Sequence, residues 1–160
     1  MQNKKFYEED IVISYTKNNI FTIANSDKYD TFLNFSTGVV NVPFGIEKYY
    51  DSYILKIQLI DKDLIDFINT IENKVKNINK EYFISQIQES KDPYPNLLII
   101  KIDNKKINKL EIESSNNNLV NFFDIKKNTK IKLNIYVDNI WFNNKKLICK
   151  FKTNKICIMD

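Results

Sequence analysis

The chemistry this chain can offer rests on lysines and aromatic rings that alternate with apolar residues. Between residues 129 and 152, Ile131, Leu133, Ile135 and Val137 alternate with Lys132, Asn134, Tyr136 and Asp138, the period-2 signature of a half-buried strand. Trp141 and Phe142 follow, then a turn at Asn143-Asn144-Lys145. A second alternation puts Leu147, Cys149 and Phe151 on one face and Lys146, Ile148, Lys150 and Lys152 on the other. Paired as a hairpin, these runs present ammonium groups beside aromatic rings, the combination that holds phosphates and stacks bases. Trp141 and Phe142 are adjacent, so on a regular strand one faces the core and the other the surface. A bulge at Asp138-Asn139 would turn Trp141 outward. Lys48, Tyr50 and Lys56 repeat the theme on a strand spanning 49–60, with Tyr53, Leu55, Ile57 and Leu59 on its other face. The same stretches also suit a solvated hairpin on a small barrel, with the tryptophan in the core.

Other chemistries lack their residues. The chain has no histidine, so the commonest general base and metal ligand is absent. Gly38 and Gly45 are its only glycines, too few and too far apart for a phosphate-binding glycine loop. Cys149 and Cys157 form no zinc-site spacing and read as buried free thiols on strands. Asp61, Asp63 and Asp66 sit at a helix start, where capping and dipole compensation explain them better than a Mg²⁺ site. The reading is a non-enzyme with no catalytic residue, metal or cofactor. Every basic residue is lysine and the net charge is only +4, so a polyanion surface requires the lysines to be segregated on one face. Lys48, Lys56, Lys132, Lys150 and Lys152 are expected to share that face, away from Asp66 and Glu72.

At 160 residues the chain reads as one domain, 1–160, with a charged N-terminal arm at 1–9. It shows no signal-peptide core and no apolar run of bilayer length, which predicts a soluble intracellular protein. Strands are expected around Ile11–Ser14, Ile20–Ala24 and Phe32–Phe35, with the turn Lys17-Asn18-Asn19 between the first two. Val42-Pro43-Phe44-Gly45 marks a turn with a positive φ at Gly45; Phe44 is either a core plug or a stacking platform, and its apolar neighbours Val42 and Ile46 favour the plug. Leu64, Phe67, Ile68, Ile71, Val75 and Ile78 recur at helical spacing, opposite Asp66, Asn69, Glu72, Asn73, Lys76 and Asn77, with Asp61 or Asp63 as N-cap. Residues 81–88 fit a helix or a strand. Residues 97–102 read as a fully buried strand, and 103–118 as a long hairpin or loop with Ile107, Leu110 and Ile112 paired inside it. Ile156 to Met159 closes the chain. Many short strands around one helix predict a mainly β fold, an OB-fold-like antiparallel Greek-key barrel with one inserted amphipathic helix.

The run Val42-Pro43-Phe44-Gly45-Ile46-Glu47-Lys48-Tyr49-Tyr50, followed by Tyr53-Ile54-Leu55-Lys56-Ile57, resembles a signature region of the single-stranded DNA-binding proteins of nucleo-cytoplasmic large DNA viruses, relatives of the short-tailed-phage single-stranded DNA-binding protein. Asn139-Ile140-Trp141-Phe142-Asn143-Asn144-Lys145 and residues 147–152 are similar to that family's last barrel hairpin. The likeness covers roughly residues 30–159. It implies an OB-fold, coating of single-stranded DNA during replication and recombination without strong sequence preference, and no catalysis. It also implies replication proteins as partners and a host-cytoplasmic or viral replication-site location; a homo-oligomer is a compatible state that the sequence alone does not decide. The chain departs from its phage relatives in ending at Ile158-Met159-Asp160 without an acidic tail. The residues expected to contact nucleic acid are Lys48, Tyr50, Lys56, Lys132, Tyr136, Trp141, Phe142, Lys145, Lys146, Lys150 and Lys152. Two other readings stay open: a protein–protein interaction or structural OB module whose lysines only solubilise it, and an RNA-binding OB domain.

Overall fold

The computed structural model describes residues 7–16, 20–25 and 33–160. In chain order the strands and helix are β1 (Ile11–Tyr15), β2 (Ile20–Asn25), β3 (Leu33–Ser36), β4 (Val40–Val42), β5 (Ile46–Tyr49), β6 (Ser52–Gln58), α1 (Lys62–Lys76), β7 (Ile87–Gln88), β8 (Leu97–Asp103), β9 (Glu111–Ser114), β10 (Thr129–Val137), β11 (Asn139–Asn143), β12 (Lys146–Cys149) and β13 (Lys152–Met159). Residues 1–6 of the expected arm, the turn at 17–19 and Phe32 lie outside the described residues. The fold is mainly β. Its sheets run β1-β2-β11-β12, β3-β10-β13-β9 with β4 also on β10, and β5-β6-β8-β7. Among the described strands, pairing is antiparallel except where β9 runs parallel to β13. Among the described residues no helix is long and apolar enough to cross a membrane.

The alternating positions build the interior. Ile131, Leu133, Ile135 and Val137 of β10, Leu55 and Ile57 of β6, and Leu147 and Cys149 of β12 are all buried, with the intervening residues turned away from the core. Helix α1 starts where the Asp61 carboxylate accepts the Asp63 backbone N–H at 2.9 Å. Its stripe of Leu64, Phe67, Ile68, Ile71 and Val75 is buried, and the Phe67 ring lies 5.1 Å from that of Phe35. Burial of each such side chain stabilises the fold by about 1.5–3 kcal/mol, so α1 is held by packing rather than by intrinsic propensity. Gly45 takes φ +66 as expected, and its α-carbon faces backbone: a β-carbon there would stand 2.9 Å from the Lys126 carbonyl carbon.

The hairpin expected between 131–137 and 146–152 is not the pairing found. Strand β10 pairs with β13, β3 and β4, while the tight hairpin joins β11 to β12. The cause is a break at Asp138, whose carbonyl accepts the Ile23 N–H at 3.3 Å and whose two neighbours belong to different sheets. Asn144 and Lys145 close the short hairpin with φ of 51 and 59, the left-handed pair that a two-residue turn requires. The single strand expected over 49–60 is likewise two strands, β5 and β6, folded back at Tyr50-Asp51 with Tyr50 at φ 51.

Other expectations also shift. Residues 104–109 form a 3-10 helix, and Ile112 pairs with Ile156 of β13 rather than within its own segment. Strand β8 alternates, with Ile99 and Lys101 half-buried, instead of being buried throughout. Residues 81–88 form turns and then β7; on the way, Leu147 N–H donates to the Tyr82 carbonyl at 2.8 Å and Ile84 N–H to the Leu147 carbonyl at 2.9 Å. Glu72, expected on the polar face of α1, is only 5% exposed. Its carboxylate accepts from the Ser85 hydroxyl at 2.5 Å and the Gln86 N–H at 2.8 Å, which ties α1 to this segment. Phe44 is no core plug, being 49% exposed. Cys149 is buried but Cys157 only half-buried, both as free thiols.

Candidate nucleic-acid interface

Among the described residues two isolated backbone bridges, both parallel, bring segments together: Phe83, before β7, with Leu147 of β12, and Ile100 of β8 with Phe151, between β12 and β13. Ile100 and Phe151 point into the core at 0% and 1% exposure. Side chains alternate along extended backbone, so the neighbours Lys101, Lys150 and Lys152 emerge together on the other side. They line one wall of a groove of about 450 Å³, with Tyr136 and Trp141 beside them and Lys106 and Lys109 of the 3-10 helix on its rim.

Trp141 is directed outward and 38% exposed, because the break at Asp138 resets the alternation between β10 and β11. The Lys150 ammonium sits over its ring, 5.1 Å from the centroid. Burial, with Lys101 and Lys152 nearby, pulls the Lys150 pKa below the usual lysine value, and Asp103 opposes this. These like charges are crowded at the cost of mutual repulsion, which an oxyanion placed among them relieves. Tyr136 lies directly across from Lys152 in the β10–β13 register. Lys152 in turn donates to the Asp138 carboxylate at 2.7 Å. Burial and the Asp138 charge raise the Tyr136 hydroxyl pKa, so it stays a neutral hydrogen-bonding ring at physiological pH.

Of the sequence-predicted residues, Tyr136, Trp141, Lys150 and Lys152 meet in this groove. The others stand elsewhere. Phe142 turns inward, its ring 6.0 Å from that of Tyr82, packed against the core. Lys132 is exposed on the same face as Tyr136 but about 13 Å further along β10, at about 3.3 Å per residue. Lys145 occupies the β11–β12 turn, and Lys146 is opposite Asn143, diagonal to Trp141 on the outer face. Lys48 pairs with Tyr53 on the face shared with Leu55, whereas Lys56 lies on the opposite face of that sheet. The five lysines expected on one face are therefore divided, because the turn at Tyr50 places Lys48 and Lys56 on separate strands. Tyr50 is 83% exposed at this hairpin tip, its ring edge-on to that of Tyr49 at 4.7 Å.

Sequence reasoning missed Lys101, Lys106 and Lys109. Lys101 left a readable trace, as the polar residue in the apolar run Leu97 to Ile102; the other two lay in a segment read as hairpin or loop.

No protein-family model matches the chain, and no curated protein sequence matches it. Solved structures do. A C-terminally truncated single-stranded DNA-binding protein from bacteriophage Enc34 superposes with a TM-score of 0.55 at 7% identity, over 95% of this chain and 96% of that one. The fold resembles that of a phage single-stranded DNA-binding protein. A second structure of the Enc34 protein gives a TM-score of 0.55 at 9% identity, covering 92% of this chain and 88% of that chain. At these identities the likeness concerns the course of the backbone, and the groove residues stand on their own geometry.

Proposed function

We propose that this chain binds single-stranded DNA in the groove between Trp141 and the lysines 101, 150 and 152. The observation that carries the reading is the exposed indole lying directly under a lysine whose neighbours are two further lysines. A base stacked on Trp141 contributes about 1–3 kcal/mol, and each phosphate neutralised adds counterion release. Stacking and ammonium contacts read no base edge, so the strand is bound without strong sequence preference. The whole chain, 1–160, acts as one OB-type barrel, with α1 as the inserted helix. The bridge that holds β8 against the β12–β13 link and the Enc34 likeness support that architecture.

On this reading the protein coats single strands during replication or recombination, as a relative of the phage and large-DNA-virus proteins that its Pro-Phe-Gly region resembles. It carries no catalytic step of its own. The test is anisotropy of a labelled oligothymidylate against a blunt duplex of equal length. Binding of the single strand at least about tenfold tighter than the duplex is expected. Equal or absent binding leaves the interaction-module reading in its place, and preference for the matching oligouridylate moves the assignment to RNA.

A further inference from the structure

The outer face of the sheet β5-β6-β8 continues away from the groove. Register puts Tyr49 opposite Ser52, and Lys101 opposite Ile54, on the side away from buried Leu55 and Ile57. Ser52 and Lys101 line the groove, and the Lys101 ammonium also lies 5.4 Å from the centroid of the Tyr49 ring. Further along the same face, the Lys56 ammonium lies 5.8 Å from the centroid of the Phe44 ring. Ile54 and Ile99 form a half-buried apolar floor between the two pairs. The groove itself begins with the same motif, Lys150 over Trp141. Phe44 is 49% exposed and Tyr49 50%. Exposed aromatics set this way add little to packing, and each offers a π-face with an ammonium within reach of a neighbouring phosphate.

We infer that Trp141/Lys150, Tyr49/Lys101 and Phe44/Lys56 are successive stations of one track, along which the strand leaving the groove crosses the sheet to the Pro43-Phe44-Gly45 turn. The inference rests on the groove reading and extends it to a second contact area about the turn. Continuity with the lysine groove chooses a polynucleotide as occupant. The two further stations carry the cations Lys101 and Lys56; Asp103, across from Ser52 on the same face, opposes the first, and Glu47 lies 3.6 Å from the second. The Glu47 Oε1 in this contact is buried and has no hydrogen-bond partner among the described residues, so a phosphate at Lys56 must compete with it. The fixed φ of Gly45 and its close approach to the 125–127 backbone hold Phe44 at the edge of the sheet.

Length dependence tests the track. Oligothymidylates of about 4 and about 12 nucleotides bracket the difference between filling the groove and crossing the sheet. Phe44→Ala is expected to weaken the longer oligonucleotide by about five- to a hundredfold and the shorter one by less than about twofold. Lys56→Gln, which does not depend on Phe44→Ala folding, should lower the salt slope of the longer oligonucleotide by about 0.7 and leave that of the shorter one alone. Glu47→Gln carries the opposite sign and should tighten the longer one. Unmoved long-oligonucleotide binding in F44A and K56Q, with both lengths bound by the parent protein, overturns the track and leaves the groove reading standing. Equal losses for both lengths also overturn it, since Phe44 would then act through the groove. Failure of the parent protein to bind either length overturns the groove reading and the track with it.

Discussion

Ile100 and Phe151 meet in a parallel backbone bridge between β8 and the link from β12 to β13. Their side chains are core, so the bridge does two things at once. It holds β8 against that link, and it delivers Lys101, Lys150 and Lys152 to the outside as a cluster. The lysine cluster is thus a consequence of where β8 meets the link from β12 to β13: the outward residues beside a buried bridge have no other direction to take.

Lys150 should separate binding from stability. Its pKa is lowered from 10.5 by burial and by two like-charged neighbours, so the folded protein releases this proton at a lower pH than the unfolded chain does. Between the lowered value and 10.5 the unfolded state binds more protons, and stability rises with pH across that window. Lys150→Gln removes the rise, leaves the neutral-pH thermal midpoint equal to or above that of the parent, and weakens oligothymidylate binding. A bound phosphate restores the lysine's pKa, so parental affinity should fall as pH climbs through the lowered value, and that fall should vanish in K150Q. Denaturation and binding curves over an alkaline series check both signs.

Trp141 and Phe142, neighbours in sequence, are expected to fail in opposite ways. Trp141→Ala should cost about 1–3 kcal/mol of binding and much less stability than a core aromatic deletion. Phe142→Ala, which opens the contact with Tyr82, should cost about 2 kcal/mol or more of stability and leave affinity near the parent value where the variant is folded. Urea denaturation alongside binding isotherms distinguishes the two; a reversed pattern places the indole in the core and the phenyl ring at the ligand.

Gly45→Val should destabilise the protein by more than about 1 kcal/mol. A side chain at φ +66 is strained wherever there is room, and here its first carbon meets the Lys126 carbonyl carbon at 2.9 Å. Gly38, with nothing within 4 Å of an added β-carbon, is the control: Gly38→Ala should change the thermal midpoint little.

Glu72 gives a second pH signature. Burial raises its pKa above 4.5, while the bonds from Ser85 and Gln86 pull the other way. A carboxyl group whose folded pKa is raised holds its proton longer in the folded state, so its contribution to stability falls as pH rises from 4.5 through the raised value. Glu72→Gln should lack this component. The stability difference between parent and variant should therefore shift in favour of the parent as pH falls toward 4.5, read from denaturant midpoints across an acidic series.

What the sequence discloses is what depends on short-range periodicity. The stripe of α1, the inward residues of β10 and β12 and the positive φ of Gly45 are legible because each follows from neighbours within a few residues. The breaks are not. Asp138 interrupts an alternation that continues on both sides, and Tyr50 turns a hairpin with a left-handed residue that is neither glycine nor asparagine, so both stretches read as longer strands than they are. Glu72 looks like one more polar helix residue until the Ser85 hydroxyl and the Gln86 N–H arrive from outside the helix to donate to it. The groove was half visible for the same reason. Lys150, Lys152, Tyr136 and Trp141 belong to one stretch of chain, whereas Lys101 joins them only through the Ile100–Phe151 bridge, which leaves no local trace.

The most direct test of the lysine groove is the salt dependence of binding followed through the protein's one tryptophan. Oligothymidylate should quench Trp141, and the plot of log affinity against log salt should have a slope of about −2 or steeper, at about −0.7 for each phosphate neutralised. Replacing Lys101, Lys150 and Lys152 together by glutamine should flatten that slope by about 2 while the protein remains folded. An indole that does not respond to the strand, or a slope that is the same with and without the three lysines, contradicts the assignment.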